Sequence, residues 1–428
     1  MTTRPRPRVV IVGAGFGGIN AAKALAGASV DVTLIDRDNY HGFWPLLYQV
    51  ATAGLGPDDI AHPVRGMFNR AGNVHVRLGT VSGVDFEHRV VLVEAEENLP
   101  YDYLILAAGS STSDFGIPGV EEHAFPLKTL PDAVRLRNHI LLAFERADAC
   151  PELVDRGILT IVLAGGGSTG VEMAGSLSEL ISRNLAGDFP RLDVTRSRVV
   201  LVEMADHLIG GFSAASQSNA RETLVRMGVE VRLSTAIARV EARSVELKDG
   251  TSIDCGTVVW TAGIRANPLA DRLGLEQGKG GAIQVLDDLS IKGHPDVFAI
   301  GDLALATDRR GKPYPQLAQV AIQGGRHSAR CVRRRMAGKP TKPFQYHNHG
   351  IMATIGRRAA VAELPGGIKL RGTAGWVSWL AVHLVFLVGF HNRMIVLAKW
   401  GWNYLTWDRA SRVILDEGFE TPTGQARA

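Results

Sequence analysis

Cysteine is scarce in this chain. Three stand in 428 residues, Cys150, Cys255 and Cys331, and no two share the spacing of a redox disulfide or a zinc clamp. They read as buried or incidental thiols, so neither a thiol relay nor structural zinc is expected. Tyr346-His-Asn-His349 lacks a third ligand at suitable spacing and reads as a polar loop, so no metal is expected. No uninterrupted apolar run reaches the roughly 20 residues that span a bilayer. No apolar signal segment precedes the first strand, so export is not expected. With 46% hydrophobic and 21% charged residues the chain is not disordered, and its length allows two or three domains. Acids are missing from one stretch. Between Arg326 and Arg412, fifteen Lys/Arg face only Glu363 and Asp408, a net +13, so the rest of the +4 chain sums to −9. Five of the seven tryptophans fall at Trp376, Trp379, Trp400, Trp402 and Trp407. A basic, Trp-rich end points to an anionic membrane surface as partner; no nucleic-acid partner is expected.

Glycine is plentiful, and two groups of it carry the functional signal. The first is Arg8-Val-Val-Ile-Val-Gly13-Ala-Gly15-Phe-Gly17-Gly18. Val9–Val12 is short and β-branched, as a buried parallel strand is. Gly13 permits a tight turn, Gly15 lets the backbone approach a pyrophosphate, and Gly18 lets the following helix, Gly17–Ala26, pack close. That helix points its first amides at the phosphates. A second strand, Val30–Ile35, ends at Asp36, placed for a ribose hydroxyl 23 residues after Gly13. Tyr101–Gly109 is expected to return beside the first strand. Val297-Phe-Ala-Ile-Gly301-Asp302 is a late strand ending in an acid, so a second domain is inserted before the early site is completed.

The second group, Leu159-Thr-Ile-Val-Leu-Ala-Gly165-Gly-Gly167-Ser-Thr-Gly170, repeats the unit 152 residues later and leads into a helix over Val171–Leu180. The next strand, Arg198–Val202, ends at Glu203, whose carboxylate favours a free ribose 2′-hydroxyl and repels a 2′-phosphate, so NADH is expected over NADPH. Thr257–Gly263 closes this domain. Glu172, early in the second helix, fits either an acid favoured by the helix dipole or a group beside the nicotinamide that orients it or relays protons.

Specific strings beyond the glycine turns resemble the type II NADH:quinone oxidoreductases, single-subunit and non-pumping, from about Arg8 to Asp416. Asn39-Tyr-His-Gly-Phe-Trp-Pro45-Leu-Leu-Tyr-Gln-Val-Ala51 is similar to the stretch that family lays against its flavin. Trp260-Thr-Ala-Gly263-Ile resembles its NADH-domain exit, and Val297–Asp302 its flavin-binding aspartate. Ala318-Gln319-Val-Ala-Ile-Gln323-Gly324 resembles its AQxAxQQG quinone-site helix, with Gly324 in place of the second paired Gln. Ala108 stands where a Thr is often found.

The resemblance implies an α/β fold of two Rossmann-like domains, the second inserted in the first, plus a C-terminal membrane-associating helical region. The expected boundaries are 1–120 and 266–340 for FAD, 121–265 for NADH, and 341–428 for membrane and quinone. Implied FAD contacts are Gly13, Gly15, Phe16, Gly17, Gly18, Asp36, Arg37, Val81, Ala108, Gly109, Asp302, Ala318 and Gln319. Implied NADH contacts are Gly165, Gly167, Thr169, Gly170, Glu203, Ala262 and Gly263. Glu172, Gln319 and Gln323 are the implied catalytic residues. The electron acceptor implied is a membrane quinone, menaquinone or ubiquinone, within a respiratory chain. The implied form is a homodimer, peripheral on the cytoplasmic face of the cell membrane.

At the C-terminus, Trp376–Phe390 and Met394–Trp402 are apolar but short. They read as interfacial helices, with the tryptophans and Arg371, Arg393, Lys399, Arg409 and Arg412 at the headgroup boundary. A buried core helix is the other reading. Three functional rivals stand beside the quinone enzyme: a soluble flavin reductase of ferredoxin-reductase or peroxidase type, a sulfide:quinone reductase, and a flavin-free NADH sensor.

Overall fold

The computed structural model describes residues 6–409 and 411–415, so the last residues of the expected C-terminal region, from Asp416 on, lie outside the described residues. The chain forms two compact units.

The first unit comprises Met1–Gly42, Ala61–Ser111 and Ile264–Asn348. Its sheet runs in the order Ser290–Ile291, His294–Ala299, Tyr103–Leu106, Arg8–Val12, Asp31–Asp36, Val74–Leu78. Only the first pair is antiparallel. Val9 pairs with both Val32 and Tyr103, and Leu104 with Val297. The early strand is therefore flanked as the sequence predicts, and the late strand joins the same sheet. Nearly continuous apolar strands suit a sheet buried on both faces. On one face the helix Phe16–Leu25 lies against Ala318–Met336. The two backbones meet at Gly325, where an added Cβ would come within 2.1 Å of the Gly17 carbonyl oxygen.

The second unit comprises Phe43–Ile60, Thr112–Gly263 and the chain from His349. Its parallel sheet runs Phe125–Pro126, Thr257–Trp260, Thr160–Ala164, Arg198–Val202, Glu230–Arg232. The helix Ser168–Glu179 follows the second glycine turn and continues through a π-helical turn, Leu180–Leu185. An antiparallel sheet of Ile351–Gly356, Ala359–Leu364 and Ile368–Arg371 covers that helix. The approach is closest at Gly175, whose added Cβ would lie 1.6 Å from the Ile355 carbonyl oxygen. Two helices, Gly372–Phe386 and Phe390–Thr406, complete the unit.

These units divide the chain differently from the expected boundaries. Residues 43–60 group with the second unit, and the described residues from His349 on pack into that unit instead of forming a region of their own. The basic stretch is divided too: Arg326–Lys342 belongs to the first unit, Arg357–Arg412 to the second.

Candidate functional site

The two glycine turns match residue for residue. Gly13 and Gly165 have φ of +103° and +106°, a region closed to most side chains. An added Cβ would strike the Ala107 carbonyl oxygen at 2.4 Å in the first turn and Ala262 Cα at 2.5 Å in the second. Gly18 and Gly170 sit so close to the turn before them that a Cβ would lie 1.8 and 1.9 Å from the Gly13 and Gly165 carbonyl oxygens. Gly15 and Gly167 have nothing within 4 Å of that position. Two glycines of each turn are thus required by the fold, and the third keeps open space at a helix N-terminus, where a pyrophosphate fits.

The two strand-end acids match as well. Asp36 accepts from Ala14 N–H and Asp38 N–H; Glu203 accepts from Gly166 N–H and from Ala205 N–H at 2.7 Å. Each carboxylate is fixed beside its glycine turn. Burial raises the Asp36 carboxyl above the usual carboxylate range, against these hydrogen bonds. In the first unit, Ser110 Oγ donates to Asp302 Oδ2 at 2.7 Å, and Asn267 ties down the Ala108 and Gly109 carbonyls. Phe16 opens the helix with its ring edge-on to His41, Arg37 is exposed beside Asp38, and Val81 is half-buried in the strand Val81–Asp85. In the second unit Thr169 is exposed in the first turn of its helix. Ala262 and Gly263 lie between the strand Thr257–Trp260 and Ile264, with Gly263 under the Phe115 ring.

Glu172 occupies a different setting from its glycine turn. It is 9% exposed and faces a cavity of about 630 Å³, counting the space open at its mouth. The walls come from four stretches of the second unit: Tyr48, Gln49 and Gly54; Ser176 and Glu179; Thr354–Arg357; and Trp376, Trp379, Trp400, Asn403, Tyr404, Trp407 and Arg409. Burial pushes the Glu172 carboxyl up to about 8; the hydrogen bond from Thr354 N–H at 3.3 Å offsets only part of this. Tyr48 is likewise raised well above its ordinary range, and its hydroxyl accepts from Gln49 Nε2 at 2.9 Å. Gln49 Oε1 in turn accepts from Trp400 Nε1 at 2.9 Å. A carboxylic acid held neutral among aromatic rings can hand a proton to a bound carbonyl.

Two other sequence-predicted residues belong to the first unit. Gln319 and Gln323 lie on the Ala318–Met336 helix of the first unit. Gln323 makes a two-way amide pair with the His347 backbone, at 2.8 and 2.9 Å, so its amide already has partners within the chain. Gly324 is buried with room for a Cβ in ordinary contact with Ile300.

The C-terminal expectation needs correction. Trp379 and Trp400 are buried, Trp376 and Trp407 half-buried, and Trp402 alone of the five is exposed. Four of the five cations assigned to headgroups are bonded internally: Lys399 to buried Asp59, Arg409 to Glu179, Arg412 to Asp188, and Arg393 to the Leu387 carbonyl. Exposed apolar side chains remain on these helices, among them Val385, Phe386, Trp402 and Leu405. Cys150 is exposed, not buried, while Cys255 and Cys331 are buried, with thiols pushed up to about 12 and about 11, chiefly by burial. Sequence reasoning missed the cavity walls: Tyr48 and Gln49 carried a flavin-side signal and the tryptophans and Arg409 a membrane signal, and segments more than 300 residues apart come together only in the fold.

Comparison with known proteins fits this geometry. The pyridine nucleotide-disulphide oxidoreductase family matches residues 7–325. Type II NADH:quinone oxidoreductase NdhA of Mycobacterium tuberculosis is 40% identical over 96% of this chain and 90% of its own length. Its paralogue Ndh, from the same organism, is 38% identical over 96% and 91%. Among solved structures, NDH2 from Plasmodium falciparum in complex with NADH superimposes with a TM-score of 0.87 at 19% identity, covering 96% of this chain and 100% of that one. The sulfide:quinone oxidoreductase of Aquifex aeolicus gives 0.72 at 17% identity, covering 96% and 93%. These two likenesses speak to the fold.

Proposed function

The chain belongs to the type II NADH:quinone oxidoreductases, within the pyridine nucleotide-disulphide oxidoreductase family, and from that premise we propose that it oxidises NADH through FAD and reduces a membrane quinone without pumping protons. The observation that carries this is the duplicated cradle: two glycine turns, each with one open glycine and one strand-end carboxylate fixed beside it. One such cradle holds one dinucleotide. Gly13, Gly15, Gly18, Asp36 and Asp302 would hold FAD; Gly165, Gly167, Gly170 and Glu203 would hold NADH. FAD, when bound, supplies the two-electron acceptor for the NADH hydride and the donor for the quinone. The protein's own part is to hold the two dinucleotides and manage protons. Quinone reduction consumes two protons, and Glu172, neutral at pH 7, would give one to a ring bound in its aromatic cavity. Phe16, Gln319 and Gln323 carry no titratable group and would act by contact, not by acid–base chemistry.

No described helix is long and apolar enough to cross a membrane. A peripheral enzyme fits, and the exposed apolar side chains of the two C-terminal helices are the surface that would enter the lipid, ahead of the tryptophans and cations. The homodimer is proposed from the family alone, and light scattering of the purified protein tests it. Sulfide:quinone chemistry needs a reactive cysteine pair, and all three cysteines here are free, two of them buried.

Stopped-flow spectroscopy of the purified holoenzyme tests the assignment. NADH should bleach the flavin, and a menaquinone or ubiquinone analogue should restore its colour. Flavin that NADH reduces but neither quinone reoxidises would remove it.

A further inference from the structure

Glu172, Ser176 and Glu179 stand at i, i+4 and i+7 on one helix and so share a face. Residues 407–409 grip that face just beyond Glu172. Past Thr406 the backbone leaves its helix with Trp407 in the left-handed region, φ +64°. The Trp407 ring lies against two guanidiniums, Arg183 at 5.1 Å and Arg357 at 4.2 Å from its centroid, and its carbonyl accepts from Asn184 Nδ2. Two residues on, Arg409 Nη1 donates to the Thr52 carbonyl at 2.9 Å and the Ser176 carbonyl at 3.1 Å, while Nη2 donates to Glu179 Oε2 at 3.1 Å. The side chains of this ion pair are only 11% and 18% exposed. Taking such a pair out of water is costly, and it persists only where its hydrogen bonds are well met, as they are here. Both Trp407 and Arg409 line the cavity that Glu172 faces.

We propose that Arg409 is a positioning residue for the reaction: its contacts hold residues 407–409 as the wall that keeps water from the Glu172 carboxyl. The proposal rests on the reading of Glu172 as the proton source only for its catalytic consequence; the wall itself is a property of the protein alone. The other titratable or charged groups facing the cavity are Tyr48, Glu179, Arg357 and Tyr404, with His383 stacked on Trp379 behind it. Burial keeps both tyrosines and the histidine neutral at pH 7. The lining charges are therefore Glu179, Arg357 and Arg409.

That inventory fixes the sign of the test. As a cation, Arg409 favours ionised Glu172, so removing its charge alone would make the Glu172 proton harder to lose. Opening the wall admits water and makes it easier to lose. The two effects point in opposite directions.

The protonated-carboxyl infrared band of Glu172, assigned by its absence in Glu172→Gln, is to be followed against pH in the holoenzyme without quinone. The wild-type band should disappear near pH 8. In Arg409→Gln it should disappear at least one unit lower, a tenfold or greater loss of proton affinity, and Arg409→Lys, which keeps the charge but not the planar fork, should fall between. Trp407→Leu changes no charge and should shift the same way; it decides the matter if Arg409→Gln does not fold. An unchanged or higher midpoint in these variants, or a wild-type midpoint in the ordinary carboxylate range, overturns the proposal. Failure of the wild type to reduce quinone would sink the functional reading and leave this titration standing.

Discussion

Glu203 does two jobs with one charge. Its oxygens accept from Gly166 and Ala205, which fixes the carboxylate, and that fixed charge opposes a 2′-phosphate. Replacing it with serine should raise the NADPH/NADH ratio of kcat/KM at least tenfold, about 1.4 kcal/mol of discrimination, and lower the melting temperature because two backbone donors lose a charged acceptor. An unchanged cofactor ratio in steady-state assays would show that specificity lies elsewhere. Glu172 makes the complementary prediction for stability. Its folded carboxyl titrates near 8, above its unfolded value near 4.5, so between those values the native state holds a proton that the unfolded chain has released. Stability should therefore fall as pH rises through that window, with a contribution of up to about 1.4 kcal/mol per pH unit from this one group. Glu172→Gln should flatten the slope, read from denaturant melts at several pH values. If the two slopes coincide, the carboxyl is not buried as described.

Among elements, the glycine turns separate two kinds of requirement. Gly170→Ala forces a Cβ to within 1.9 Å of a backbone oxygen and should destabilise the second unit, whereas Gly167→Ala meets nothing and should leave the fold intact. The second variant should nevertheless raise the KM for NADH about tenfold or more, because its methyl occupies the space kept for the pyrophosphate. Equal melting losses in the two variants would contradict this. These turns were legible in the sequence because glycine spacing, strand and terminal acid lie within one local unit. The C-terminal helices were legible only as apolar. Trp379 and Trp402 look alike in the sequence, and helix phase alone turns one inward and the other out. Arg409 reads the same whether its partner is a lipid phosphate or, as here, a carboxylate 230 residues earlier. The string Asn39–Ala51 resembles a flavin-side segment, yet from Phe43 it packs with the second unit, where Gln49 meets Trp400 and, further on, Asp59 meets Lys399.

At the scale of the molecule, each of the two units carries one glycine-turn cradle, so each ligand should stabilise the unit that holds it. A ligand present at a hundred times its dissociation constant adds about 2.7 kcal/mol to the state that binds it. Adding NAD+ to the FAD-loaded enzyme should slow backbone hydrogen exchange in Thr160–Ala164 and Arg198–Val202, the strands that flank the second turn. Protection in Arg8–Val12 and Tyr103–Leu106 should stay as it was, because those strands belong to the first unit. The effect should also reach the C-terminal helices. The helix that starts at the second glycine turn carries Glu172, Ser176 and Glu179, and Arg409 binds its far half, so ordering its first turn restrains the segment that closes the cavity. Slowed exchange at Asn403–Arg409 on NAD+ addition would tie the nucleotide site to that cavity through one continuous element. Protection confined to the sheet would show that the two act independently.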